Sequence, residues 1–240
     1  MIIGVYAAVV LPWTACAEST ESEDAQQTVY KALLSGKRAG ELEREYKAPA
    51  EPTVYLTFDD GPSKKIRPRF WTFCSARASK ALFFALGEQV KEYPDYAKRI
   101  VQEGHALGNH SYNHVYKQLY SSFSTFWQQI LMTDDIFYQT TGQRTRLLRA
   151  PGGTATNFDG FYYYYMNQAG FTVHDWNIDS GDASRAGVKA EEILSMVKKS
   201  PLRRELVVLM HDGAGHEETV KALPQMISFF LRKKDTASLR

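Results

Sequence analysis

The chain is predicted to be an α/β protein, a parallel sheet with helices packed outside it, and three observations carry that expectation. Short β-branched or aromatic runs alternate along the sequence with longer candidate helices, the order of repeated strand–helix units. Leu206-Val207-Val208-Leu209-Met210 is apolar without a break, as expected of a strand buried on both faces. Several of the runs end in polar, ionisable residues. In barrels of parallel strands and helices, the carboxyl ends of the strands carry the chemistry because the loops there converge on one face.

The first strand is predicted over 53–58, where Thr53-Val54-Tyr55-Leu56-Thr57-Phe58 is rich in β-branched and aromatic residues. Asp59-Asp60-Gly61-Pro62 stops it, since that run favours a turn. A helix over 64–76, a strand over 81–86 and a helix over 89–103 follow. The strand over 105–109 closes in Gly108-Asn109 and leads into His110-Ser111-Tyr112-Asn113-His114. These histidines are four apart, so on a helical turn both imidazoles point the same way. After a helix over 122–141, the strand over 146–150 ends in Arg149-Ala150-Pro151-Gly152-Gly153. A rigid proline followed by two permissive glycines suits a backbone shaped around a ligand. A helix over 157–169 and a strand over 171–176 precede the polar run Asn177-Ile178-Asp179-Ser180-Gly181-Asp182. Helices over 189–199 and 217–233 flank the last strand, 206–210, which finishes in His211-Asp212-Gly213.

Asp59, Asp60, His110 and His114 together offer one carboxylate more than a metal site needs. Two imidazoles and one carboxylate can hold a divalent cation and leave a position open for water, and the spare carboxylate can take that water's proton. This set points to a metal-dependent hydrolase. A turn and a pair of surface histidines would explain either half alone, but not four strand ends that all carry polar groups. A glycosidase built on the two aspartates is excluded, because adjacent residues cannot flank a glycosidic bond at the required spacing. His105 is read as support for its strand, His174 and His216 as incidental, and Tyr162 to Tyr165 as packing.

The net charge of +2 over 240 residues is too small to imply nucleic acid. The basic groups Lys64-Lys65-Ile66-Arg67 and Arg203-Arg204 lack the aromatic interleaving of a base-stacking platform. Residues 1–17 open with an apolar stretch, Met1 to Trp13, too short to span a bilayer comfortably but sized for a signal-peptide core. Small residues stand at Thr14-Ala15-Cys16-Ala17, where cleavage would fall. The basic start of such a peptide is missing, and Cys16 is alternatively a lipid-attachment site. Residues 18–49 read as a polar, charged linker and 50–240 as one catalytic domain. Only Cys16 and Cys74 occur, so no disulfide framework holds the domain. Any membrane contact is expected through the export segment alone, which places the domain outside the cytoplasm.

Thr57 to Pro62, His110 to His114, Arg149 to Gly153, Asp179-Ser180-Gly181-Asp182 and Leu209-Met210-His211 resemble, in order and spacing, the five motifs of the polysaccharide deacetylases. This family is carbohydrate esterase family four, or the NodB-homology domain, and the resemblance spans about residues 50 to 233. It implies an irregular, partly open (β/α) barrel with fewer than eight repeats, acting as a monomer. Asp60, His110 and His114 would hold the metal, zinc first, with cobalt or manganese as alternatives. Asp59 would be the general base, paired with Arg149, whose charge lowers a neighbouring carboxylate's pKa. The Gly152 N–H would stabilise the oxyanion, and His211, polarised by Asp182, would protonate the departing amine. Asp179 remains a possible substitute for Asp182.

The chain departs from the family's pattern in three places. Many members have Tyr or Trp where Gly152 stands and Trp where Ala183 follows Asp182, which leaves Leu209 and Trp176 as candidates for the apolar pocket. Residues 232–240 do not match the family's usual final strand. The Pro-Gly-Gly variant resembles a subgroup of Gram-positive cell-wall deacetylases. The implied reaction is therefore removal of N-acetyl groups from amino sugars of a cell-wall glycan, peptidoglycan first. Chitin oligosaccharides are the second choice, O-acetyl xylan a third, and a carbohydrate-binding pseudoenzyme the alternative of another class.

Overall fold

The structure, a computed structural model, describes residues 49, 51–64, 81–158 and 160–235. The export segment, all of the linker except residue 49, most of the helix over 64–76, both cysteines and residues 236–240 lie outside the described residues. Among the described residues seven strands form one sheet: β1 (Thr53–Asp59), β2 (Leu82–Ala85), β3 (Ala106–Asn109), β4 (Leu147–Leu148), β5 (Thr172–Val173), β6 (Ile178–Asp179) and β7 (Glu205–His211). Their order is β5-β4-β3-β2-β1-β7-β6, and every pair is parallel.

This order explains the shape. β5 and β6 are the two edges of the sheet, yet only residues 174–177 join them. An extended chain spans at most about 3.5 Å per residue, so the sheet must curl until its edges almost meet. The result is the partly open barrel with fewer than eight strands. The short link has a second consequence, because its backbone carbonyls face the site described below.

Side-chain alternation divides the two longest strands between two faces. Leu56 and Phe58 of β1 and Leu206, Val208 and Met210 of β7 enter the largest core. There they meet Ile193 and Val197 of α6 (Ala190–Lys199) and Leu223, Met226 and Ile227 of α7 (Glu217–Asp235). Thr57, Asp59, Leu209 and His211 therefore turn to the inner face. Thr57 pairs with Leu209, and Asp59 with His211. A second core joins Leu119 of α3 (Tyr116–Leu119), Phe126, Trp127 and Ile130 of α4 (Phe123–Thr141) and Met166 of α5 (Gly160–Gln168) beneath Leu148 and Phe171.

Four local expectations differ from the structure. The helix over 89–103 is two helices, α1 (Gly87–Glu92) and α2 (Pro94–Gln102). Pro94 lacks an N–H and clashes with a preceding turn, so it begins a new helix. The strand over 171–176 stops at Val173 because the chain must cross to the other edge, and Ile178-Asp179 resumes as β6 beside β7. The short helix α3 was not predicted. Residues 110–115 are not a helical turn: Ser111 and His114 have φ of 70° and 55°, outside the right-handed helical region. Helix α4 begins where Ser122 Oγ accepts from the Thr125 N–H at 3.1 Å and ends at Gly142 with φ 73°. Among the described residues no helix is long and apolar enough to cross a membrane.

Candidate active site

The carboxyl ends of β1, β3, β4, β6 and β7 bring together Asp59, Asp60, His110, His114, Arg149, Asp182 and His211. Arg149, fully buried after β4, organises one side. Its Nη1 donates to Asp59 Oδ1 at 2.9 Å and to Thr57 Oγ1 at 2.7 Å. Its Nε donates to the His174 carbonyl at 3.0 Å and its Nη2 to the Asp175 carbonyl at 3.2 Å. Those two carbonyls belong to the link between the sheet edges. The guanidinium also lies over the Phe84 ring, 4.3 Å from its centre, so a buried cation is matched by a carboxylate, dipoles and a ring face.

Asp59 is buried. Burial pushes its carboxyl above the usual range, and Arg149, His211 and His114 draw it back only in part. The lowering expected from Arg149 is present, but desolvation outweighs it.

Asp60 turns the other way, into the loop after β1, with φ 73°. Its Oδ1 lies 3.6 Å from His110 Nε2 and 3.7 Å from His114 Nε2. That oxygen is buried and has no hydrogen-bond donor among the described residues. His110 Nδ1 lies 2.8 Å from the Arg149 carbonyl. It must donate to that oxygen, which leaves Nε2 as a bare lone pair facing Asp60. Burial drives the His110 pKa down to about 3 against the pull of Asp60, so the ring is neutral. Two convergent imidazoles and a carboxylate oxygen lacking a donor form a cluster able to hold a metal ion.

Across the cleft, His211 at the end of β7 is held by Asp182. Asp182 Oδ1 accepts from His211 Nδ1 at 2.8 Å, and Oδ2 accepts from the His211 N–H at 2.8 Å and from Thr219 Oγ1 at 2.7 Å. Burial opposes charge on His211, but the hydrogen bond and charge of Asp182, with Asp59 and Asp60 beyond, raise its pKa to about 9. These hydrogen bonds outweigh burial and lower the Asp182 carboxyl. Asp179, left open as a substitute, is exposed and accepts from the Gly181 N–H at 2.8 Å.

Gly152 is exposed, with φ 73°. A Cβ there would lie 2.6 Å from Tyr116 Oη, and one at Gly153 would lie 2.8 Å from the Trp176 ring. Leu209 is buried on the inner face, level with Thr57 and one inward-facing position before His211. Sequence reasoning missed several participants. His216, read as incidental, stacks on His211 with ring centres 5.2 Å apart and lies 3.8 Å from Asp182 Oδ2. Asp212 is buried against Gly61, and burial with the charges of Asp60 and Asp59 raises its carboxyl to about 8. Thr57 was seen only as the start of the first motif, Thr219 and Asp175 carried no signal beyond their polarity, and Tyr116 only its proximity to His114.

Residues 46–174 match the family model described as polysaccharide deacetylase. A peptidoglycan-N-acetylglucosamine deacetylase of Bacillus cereus is 32% identical over 178 residues, covering 72% of this chain and 64% of that protein. A chitooligosaccharide deacetylase of Sinorhizobium fredii is 30% identical over 167 residues, covering 70% of this chain and 75% of that one. The crystal structure of the polysaccharide deacetylase Bc1974 from Bacillus cereus superposes with a TM-score of 0.70 at 31% identity, covering 75% of this chain and 87% of that one. The chain thus spans just under two thirds of the length of the first of these relatives.

Proposed function

Because the chain belongs to the polysaccharide deacetylase family, we propose that it hydrolyses the N-acetyl amide of amino sugars in a cell-wall glycan, releasing acetate and a free sugar amine. Peptidoglycan is the substrate of this reading, favoured by the Bacillus cereus relative, and chitin oligosaccharides are the second, favoured by the Sinorhizobium fredii one. The observation that carries the reading is the register of β1 and β7. It sets Asp59 directly beside His211, each with its own buried partner, above a cluster suited to a metal.

Asp60, His110 and His114 would hold one divalent metal. The donor set fits zinc, and cobalt or manganese by the same ligands. The buried Asp60 oxygen without a donor and the fixed tautomer of His110 support the fit. When bound, the metal supplies Lewis-acid polarisation of the acetyl carbonyl and acidifies the attacking water.

The chain's own residues divide the remaining work. Asp59 takes the proton of the attacking water through Oδ2, which lies 3.7 Å from His110 Nε2 while Oδ1 is anchored by Arg149. A carboxyl raised by burial is a better base near neutrality than an ordinary one. The Gly152 N–H donates to the oxygen that gains charge as the carbonyl is attacked. His211 delivers a proton from Nε2 to the leaving nitrogen, since its Nδ1 is engaged by Asp182. An amine leaves poorly unless protonated, so this transfer decides whether the tetrahedral species goes forward. Leu209 and Trp176 line the side that receives the acetyl methyl group.

Such a glycan lies outside the cytoplasmic membrane. Residues 1–17 are accordingly assigned to export, 18–49 to a linker and 50–240 to a catalytic domain working as a monomer. The test is acetate release by the full chain from peptidoglycan and from chitin oligomers, after chelation and after zinc is restored. Zinc-dependent release that Asp59→Asn loses is the expected result. A folded, metal-loaded chain that binds either glycan and releases nothing would instead be a carbohydrate-binding pseudoenzyme.

A further inference from the structure

We propose that Tyr116 is a substrate-binding residue, its ring forming one wall of the subsite for the N-acetylated sugar in the space that a side chain at residue 152 would otherwise fill. The inference rests on the deacetylase reading and adds a residue to it.

Tyr116 opens the four-residue helix α3, two positions after His114. It packs edge-on against the His114 ring, with centres 5.1 Å apart and planes at 81°. At its other end the hydroxyl reaches Gly152, 2.6 Å from where a Cβ would stand. The side chain therefore bridges one member of the Asp–His–His cluster and the loop that carries the oxyanion donor. It is nevertheless 44% exposed, so the face of the ring is open to a ligand.

The surroundings hold this ring in place. Tyr120, one turn on, lies 6.1 Å from Tyr116 between ring centres and donates its hydroxyl to the Pro151 carbonyl at 2.8 Å. On the far side of the two glycines the Trp176 ring covers Gly153. Two aromatic side chains from distant parts of the sequence thus flank a glycine pair that has no side chains of its own. A tyrosine at such a lip offers an apolar face to the C–H surface of a sugar ring and a hydroxyl to its polar edge. Gly152 is required by this arrangement twice over, by its φ of 73° and by the space Tyr116 takes.

The experiment compares the zinc-loaded full chain with Tyr116→Ala, Tyr116→Phe and Tyr163→Ala. Tyr163 is an equally exposed tyrosine, at 46%, on α5. With an N-acetylglucosamine tetramer, Tyr116→Ala is expected to raise KM about tenfold, the scale of one aromatic contact. Its kcat should stay within about twofold, while Tyr116→Phe falls between and Tyr163→Ala matches the parent. Calorimetry on the inactive Asp59→Asn chain should show about the same tenfold loss of tetramer affinity on adding Tyr116→Ala. An unchanged KM with weaker zinc binding would make Tyr116 a mere prop for His114 and overturn the inference. If the parent released no acetate but its tetramer binding still depended on Tyr116, the deacetylase reading would fail and this one would stand. A parent that neither cleaves nor binds the tetramer would overturn both.

Discussion

Each half of the site gathers one carboxylate and two imidazoles, yet the two clusters are built for opposite ends. Around Asp60 the imidazole nitrogens stand 3.6 and 3.7 Å from an oxygen that receives no hydrogen bond among the described residues. Around Asp182 both oxygens are occupied, by the His211 ring, the His211 N–H and the Thr219 hydroxyl, all within 2.8 Å. The ring planes differ as well. His110 and His114 are tilted by 53°, whereas His211 and His216 stack at 27°. A metal sits near the plane of each imidazole that binds it, so tilted rings can converge on one ion while stacked rings cannot do so without turning. An unmet carboxylate beside converging lone pairs suits a cation, whereas a saturated one suits the mounting of a proton donor, as the proposed function requires.

The comparison breaks most visibly at the cation side. Asp60→Asn should strip bound zinc and activity together, as elemental analysis beside acetate release would record. Asp59→Asn should keep the zinc and lower kcat about a hundred- to ten-thousandfold, the range of a lost general base. If Asp59→Asn also emptied the site, the division of labour between the two adjacent aspartates would be wrong.

On the proton-donor side the effect is a shift along the pH axis. The proposed role of His211 as acid needs its protonated form, and its pKa is raised to about 9, so kcat should hold near neutrality and fall as pH rises through about 9. Asp182→Asn removes the charge that outweighs burial, and the alkaline limb should move toward the ordinary histidine range. Stability follows the same sign: with the folded-state pKa above the unfolded one, the His211 contribution is fully present below about pH 6.5 and lost as pH climbs through about 9. Melting temperatures between pH 6 and 9.5 should decline in the parent and flatten in the variant. An alkaline limb indifferent to Asp182→Asn would detach that carboxylate from the acid.

Most of this arrangement was legible in the sequence because it lies at strand ends with abrupt chemistry. Asp59-Asp60-Gly61-Pro62 favours a turn that ends a strand, and the unbroken apolar run before His211 fits a buried strand. The connecting geometry was not legible. Positive φ at Ser111 and His114 leaves no compositional trace, so a loop passed for a helical turn. β5 and β6 have two residues each and exist because their neighbours pair with them, a tertiary fact that propensity does not carry. Asp179 and Asp182 are equivalent on paper and separate only when β6 places the turn. The contact of His216 with His211 and that of Tyr116 with Gly152 are tertiary and leave no local pattern.

A smaller effect is expected at Thr219. It donates one of the three hydrogen bonds that saturate Asp182, and bonds to charged groups are worth about 2 kcal/mol. Thr219→Val should lower the unfolding free energy by about that amount while the alkaline limb stays within about half a pH unit, because the carboxylate keeps both of its bonds to His211. A shift as large as that of Asp182→Asn would mean that Thr219, and not the carboxylate's charge, sets the acid.

The smallest effect sharpens the comparison most. His216 completes the second Asp–His–His group on paper, but burial lowers its pKa below the usual value. It therefore stacks on His211 as a neutral ring near neutrality and adds no competing charge. His216→Ala should change kcat at pH 7 by no more than about twofold, far below the loss of an acid–base group. Zinc titration should give one ion per chain in both parent and variant. A second ion in the parent that disappears with His216 would mean that the hydrogen bonds around Asp182 do not exclude a cation. Saturation would then no longer distinguish the two clusters, and ring orientation alone could not carry the difference.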